Sequence, residues 1–147
     1  MPRSPAQIAA LRLGFKAPHE SGCFVIPNPW DFGSAKYLAS LGFKALATTS
    51  SGAAWSRGLA DNRVGRAAVL AHLAELVELV EATALPVNAD FEDGFGASSD
   101  AVFESVRLAV ATGVAGLSIE DSTRDPAHQV PRPRMSAPSP PPSRPSP

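Results

Sequence analysis

Asp90, Glu92 and Asp93 stand within four consecutive positions of the stretch LPVNADFEDGFG (85–96). They follow a short apolar run and precede a glycine-rich turn. Carboxylates this close repel one another unless something positive lies between them or water screens them. Two more acids belong to the same pattern: Glu120 closes a later apolar run, VAGLSIED (114–121), and Asp61 lies in the loop SSGAAWSRGLADN (50–62). Oxygen ligands with no neighbouring His or Cys suit a hard divalent cation, Mg²⁺ or Mn²⁺. The competing reading is an acidic run that caps a turn and faces water.

The elements needed to position these acids are legible as alternating units. CFVIP (23–27) reads as a strand closed by prolines. DFGSAKYLASLG (31–42) reads as a helix with Asp31 as N-cap and Gly42 as C-cap. FKALATT (43–49) reads as a second strand, and 50–62 as a loop. Val69, Leu70, Leu73, Leu76, Val77 and Val80 give the clearest helical stripe, with His72, Glu75, Glu78 and Glu81 assigned to its solvated face. LPVNAD is the third strand and SSDAVFESVRLAVATG the third long helix, its stripe being Val102, Phe103, Val106, Ala109 and Val110. VAGLSIED is the fourth strand.

A further helix is expected near the N-terminus, in MPRSPAQIAALRLGF. The junctions SLGFKALA and ATGVAGLS share a frame of Gly, apolar, any, small, Leu, small, a weak internal repeat. Strands joined by helices run parallel, which leaves a β/α barrel or a doubly wound sheet. In either, ligands sit beyond the carboxyl ends of the strands, where the acids fall.

Bulk properties narrow the class. The 147 residues are 44% hydrophobic and 18% charged, with a formal net charge of −1. Residues 1–125 carry −4 and residues 126–147 carry +3. Nothing here points to nucleic acid or to an acidic membrane surface. The single cysteine, Cys23, allows no internal disulfide and reads as a small buried hydrophobe. A reducing cytoplasm is the expected compartment for a chain with one cysteine, and no apolar run approaches the ~18 residues of a membrane span. Residues 126–147 hold 9 of the 15 prolines and no Leu, Ile or aromatic side chain. They read as a disordered proline-rich tail after a domain of residues 1–125. The PxxP spacing in PSPPPSRP also fits a ligand of a proline-binding domain. Trp55 either lines the mouth of the site or covers the core. His19 and His128 fall in loops without a ligand partner.

The blocks IPNPWDFGSAKYLASLGFKALATTSSGAAWSRGLAD, LPVNADFEDGFG and GVAGLSIEDS resemble the isocitrate lyase/phosphoenolpyruvate mutase family over about residues 20–123, in order and spacing. The resemblance implies a (β/α)8 barrel of TIM type that uses Mg²⁺. It also implies C–C or P–C bond chemistry beside a 2-oxo acid or its enolate. The family's D-x-D-x-G-[YF]-G motif falls on Asp90, Glu92, Gly94, Phe95 and Gly96, with Glu at the second acidic position. By resemblance Asp90, Glu92 and Glu120 form the metal shell, and Asp61 is a catalytic acid near substrate and metal. Thr48, Thr49 and Ser50 then bind the substrate carboxylate, and Trp30 and Asp31 match the N-x-W-D block at the first strand end. The family's lyases carry a Lys-[KR]-Cys-Gly-His loop after the IED strand. This chain has DSTRDPAHQV there, which favours the mutase-like branch.

Only four of the eight strands are legible, so a half-barrel is expected, from a truncated or frame-shifted chain with weak or no activity alone. The family's full-length members are usually homo-tetramers that exchange C-terminal helices. Two other readings stand beside an enzyme acting on a small 2-oxo or phosphono acid. One is a non-catalytic fragment that pairs with itself or with a full-length relative. The other is a cation-binding module without turnover.

Overall fold

A computed structural model describes residues 3–79 and 85–121. The proline-rich segment, His128, Val80, Glu81 and the stretch from residue 122 onward lie outside the described residues, and with them the expectations of disorder and of a PxxP ligand.

Helix α1 (Pro5–Lys16) is started by a capping box in which Ser4 and Gln7 satisfy each other's backbone N–H groups. A short 3-10 turn (Ala17–His19) follows, and the His19 ring packs edge-on against Phe15 and Phe24. Then come α2 (Phe32–Ser40), β1 (Leu46–Ala47), α3 (Ser50–Trp55), α4 (Arg66–Leu79), β2 (Val87–Asp90), α5 (Ser99–Ala111) and β3 (Gly116–Ser118). The strands form one parallel sheet in the order β1-β2-β3. The result is a partial α/β fold whose helices connect successive parallel strands, as the alternating pattern requires.

The repeated junction is visible in the backbone. Gly42 and Gly113 sit just past α2 and α5 with φ of 80° and 92°. That left-handed conformation ends a helix at little cost only for glycine. Each is followed four residues later by the Leu of the shared frame, Leu46 in β1 and Leu117 in β3. Asp31 caps α2 as the sequence indicates, accepting the Ser34 N–H while the Ser34 hydroxyl returns to the Asp31 backbone.

CFVIP forms no strand among the described residues. Ala47 N–H donates to the Pro27 carbonyl at 3.0 Å. The return bond of a parallel ladder would come from the N–H of residue 29, which is a proline and has none. The Asn28 side-chain amide replaces it, donating to the Ala47 carbonyl at 3.1 Å. The segment therefore lies beside β1 without a ladder. The 50–62 loop also differs from expectation, because it opens with α3. Thr49 caps that helix by accepting the Gly52 N–H. A Cβ at Gly52 would stand 2.7 Å from Thr49 Cγ2 and 3.0 Å from Trp30 Cβ, so the close approach of these segments needs glycine.

The core lies between the sheet and the helices. Leu73 and Leu76 of α4 meet Val87 and Ala89 of β2, with Phe91 and Ala109 completing the cluster. The α4 stripe is buried as its period dictates. The α5 stripe is buried only in part: Ala109 is buried and Val102 and Val106 are half-buried, but Phe103 is 70% and Val110 42% exposed, and Ser105, outside the stripe, is buried. The Ser105 hydroxyl bridges the Ala101 and Phe95 carbonyls and receives an Arg66 N–H, so the helix seats on its small-residue side. Arg12 of α1 donates to the Val110 carbonyl in the last turn of α5 and to the Val114 carbonyl just beyond it, a cation where the helix dipole favours one. Cys23 is exposed, not buried, because the segment it opens stands outside the ladder.

Candidate functional site

Strand β2 alternates buried and half-buried residues, so Val87 and Ala89 enter the core while Asn88 and Asp90 take the other face. At that end Asp90 is held by the turn after β1. Its Oδ2 accepts both the N–H and the hydroxyl of Ser50, each at 2.8 Å. Its own N–H donates to Thr48 Oγ1 at 2.9 Å. Among the described residues the other oxygen, Oδ1, takes only a long 3.4 Å contact from the Glu92 N–H. One side of the carboxylate is therefore fixed by charge-assisted bonds.

Past Asp90 the chain does not stay extended. Glu92 has φ 47°, Gly94 81° and Phe95 53°. Two non-glycine residues in the left-handed region mark local backbone strain, which the surrounding packing must sustain. Strand alternation after Asp90 thus fails to orient Glu92. The Glu92 side chain is 1% exposed, and its carbonyl accepts the Glu120 N–H at 2.7 Å. The Asp93 carboxylate accepts the Phe95 N–H, closing the turn.

Glu120, just beyond β3, is exposed on the same rim. Its carboxyl titrates above the ordinary 4.5, through partial burial and then the negative charges of Asp90, Asp61 and Asp93. Carboxylates from the ends of three successive strand units therefore feel one another. Asp93 belongs to this set although the motif match passes over it; its place in the acidic run was the available signal. Among the described residues no three His, Cys, Asp or Glu side chains are close enough to hold an ion between them.

The sign of the Glu120 shift gives a testable consequence. A carboxyl whose folded pKa is raised favours the folded state fully below its unfolded value, and that contribution is lost as pH rises through the folded value. At pH 7 and without divalent cations, Glu120→Gln therefore stabilises the protein. The gain disappears near and below pH 4.5. Urea unfolding at several pH values reads this, and a destabilised Gln variant at pH 7 contradicts it.

The other site residues spread around the rim. Asp61 is exposed and accepts its neighbour Asn62's N–H. The Asp31 carboxylate is occupied as a helix cap, and its pKa is lowered first by the Ser34 bonds. Trp30 is 48% exposed beside Gly52. Thr48 is buried, and its N–H donates to the Asn88 carbonyl. Thr49, Ser50 and Asp90 line one small cavity together with Arg57 and His72. Trp55 is 66% exposed, which removes the reading that it covers the core.

His72 is the largest departure from expectation. It is 6% exposed, not solvated. Burial first, and the Arg57 charge second, hold its pKa below the ordinary 6.5. Helical periodicity counts one buried stripe, whereas α4 is covered on a second side by the segment carrying Arg57.

The phosphoenolpyruvate phosphomutase family model matches residues 15–137. The chain belongs to this family. A Burkholderia cenocepacia structure with a provisional lyase/mutase assignment shares 50% identity and a TM-score of 0.74, over 80% of this chain and 42% of that one. An uncharacterised Mycobacterium tuberculosis protein is 37% identical over 108 residues, 73% of this chain and 39% of its own length. The structure of 2,3-dimethylmalate lyase, described as a member of the PEP mutase/isocitrate lyase superfamily, shares 28% identity with a TM-score of 0.67, over 83% of this chain and 41% of that one. The chain thus spans about two-fifths of the length of these relatives. The structural neighbours are TIM-barrel-type proteins, and the parallel β1-β2-β3 sheet with its helices matches part of that architecture. Among the described residues no helix is long and apolar enough to cross a membrane.

Proposed function

We propose that this chain carries the acidic half of a phosphoenolpyruvate mutase-type site, built on the first half of a β/α barrel. The reaction class is lyase or mutase chemistry on a C–C or P–C bond of a small 2-oxo or phosphono acid. One observation carries the reading: Asp61, Asp90 with Asp93, and Glu120 come from the ends of three successive strand units and meet on one rim, where Ser50 fixes Asp90, and partial burial followed by the charges of Asp90, Asp61 and Asp93 raises the Glu120 carboxyl. Such mutual repulsion is relieved by a cation, and the donor set is all hard oxygen. Mg²⁺ keeps several of its waters and takes only one or two carboxylates directly, so it does not require three converging side chains. The residues present therefore fit Mg²⁺, with Mn²⁺ as a substitute.

Asp90 and Glu120 would hold the ion directly or through its waters, and Glu92, buried at 1% exposure, would join them only by turning out from its present position. A divalent cation bound there would neutralise the negative charge that develops on an enolate oxygen, worth several kcal/mol of barrier. Ser50 keeps the Asp90 carboxylate turned to present Oδ1. Asp61, on the loop above, is the candidate proton carrier. Thr48, Thr49 and Ser50 form the turn proposed to receive a substrate carboxylate, although Ser50 now gives both its N–H and its hydroxyl to Asp90, and Trp30 flanks that turn beside Gly52. A cytoplasmic location suits the small-acid substrates.

The test uses the purified full chain with oxaloacetate, phosphonopyruvate and 2-methylisocitrate, with and without Mg²⁺. Turnover of one of them that needs the cation supports the reading. Absence of turnover together with an unfolding temperature indifferent to Mg²⁺ and Mn²⁺ overturns it. A second reading, a non-catalytic chain that pairs with another copy or with a full-length relative, draws on the large apolar side chains left exposed, Phe103, Tyr37 and Trp55 at 70%, 66% and 66%. Concentration-dependent association in sedimentation, without turnover, distinguishes it.

A further inference from the structure

Beneath the β2 end lies a cavity of about 10 Å³ whose lining includes Thr48, Ser50, Arg57, His72 and Asp90. That volume suits one water and no organic ligand. The lining is polar enough to offer a water the two to four partners it needs. His72 Nε2 is buried and has no hydrogen-bond partner among the described residues. The other ring nitrogen, Nδ1, faces Arg57 Nη2 at 3.5 Å. A guanidinium can only donate, so Nδ1 must present its lone pair and the ring proton belongs on Nε2. A buried N–H then has no acceptor among the described residues, which native structures rarely tolerate.

We propose that the cavity holds one ordered water which accepts the Nε2–H of His72 and donates to the oxygens of the Thr48–Ser50 turn and Asp90, making His72 a positioning residue for that carboxylate. The charged groups around the ring are Arg57 after α3, Glu75 on α4 and Asp31 at the start of α2. Arg57 is itself anchored by donating to the Ala53 carbonyl at 2.7 Å. The chain of contacts therefore runs from α4 through the ring and the water to the turn that grips Asp90. It deepens the proposed site by naming what stiffens Asp90 from behind, yet the ring and its water do not depend on a cation being bound.

Nitrogen-15 NMR of the labelled full chain, without metal, tests the ring and water. The expected result is a neutral His72 protonated on Nε2 at pH 7, with a ring N–H signal that cross-relaxes with a long-lived water. A proton on Nδ1, or an Nε2–H with no water contact, overturns the proposal. Positioning is read from hydrogen exchange at the Ser50 amide, which donates to Asp90. His72→Gln retains an N–H near the Nε2 position and should keep the Ser50 protection within about threefold of wild type. His72→Leu should lose at least about tenfold. Equal protection in the Leu variant refutes the positioning role. If His72→Leu fails to fold, the wild-type ring signature and the Gln variant still decide. A chain that shows the ring and water signature but binds no Mn²⁺ sinks the metal reading alone.

Discussion

Asp90→Asn should weaken Mn²⁺ or Mg²⁺ binding by at least about tenfold, ~1.4 kcal/mol, while metal-free stability stays within about 1 kcal/mol of wild type. The amide oxygen can still accept the Ser50 N–H and hydroxyl that now meet Oδ2 at 2.8 Å. What disappears is the negative charge, and with it part of the repulsion that raises Glu120. Asp90→Ala should behave differently. It removes the acceptor as well, leaving two part-buried donors unmet, and costs about 1.5–3 kcal/mol of stability on top of the lost affinity. Calorimetric titration with Mn²⁺ and urea unfolding of both variants separate charge from hydrogen bonding. If Asp90→Asn binds the ion as wild type does, the acidic rim is a solvated turn and the proposed metal shell is wrong.

Phe91→Ala should cost about 3–5 kcal/mol of folding free energy, the range for a large aromatic removed from a packed core. Phe91 is 0% exposed. It packs edge-on against Phe95, with ring centroids 5.0 Å apart. Its backbone N–H donates to the Ser118 carbonyl of β3, so it lies between the acidic turn and the sheet. A domain with a total stability of about 5–15 kcal/mol loses much of it through such a change. The urea midpoint should fall with an unchanged slope, and Phe91→Leu should lose markedly less. A loss below about 1 kcal/mol would show that the turn can collapse around the gap, so that the strained backbone of Glu92 and Phe95 is not held by this ring.

The two variants act on one structural problem. The acidic turn carries left-handed Glu92 and Phe95, and mutually repelling carboxylates surround it. Both features are unfavourable by themselves. The Phe91–Phe95 packing and the Ser50 clasp on Asp90 offset them, and the second of these is what keeps Oδ1 presented at the rim.

Much of this arrangement was legible along the chain. Local physics acts within a few residues, and a few residues suffice to read it. Asp31 with Ser34 makes a cap, Gly42 and Gly113 end helices, and Val69, Leu73, Leu76 and Val77 bury one side of α4. Parallel pairing followed from helices alternating with strands, and the acids fell at strand ends for the same reason. The absent ladder at 23–27 was also written there, in the spacing of Pro27 and Pro29, though apolar content masked it.

Tertiary structure alone decided the rest, because those outcomes depend on what a residue meets from a distant segment. His72 became buried when Arg57 and the Thr48–Ser50 turn closed over a second side of α4. Phe103 and Val110 remained exposed when α5 seated on Ser105 and Ala109. Glu92 turned inward because its φ is positive, a sign that residue type does not dictate for glutamate. Spacing put acids at the ends of strands; only packing chose which of them shares a field and which is buried.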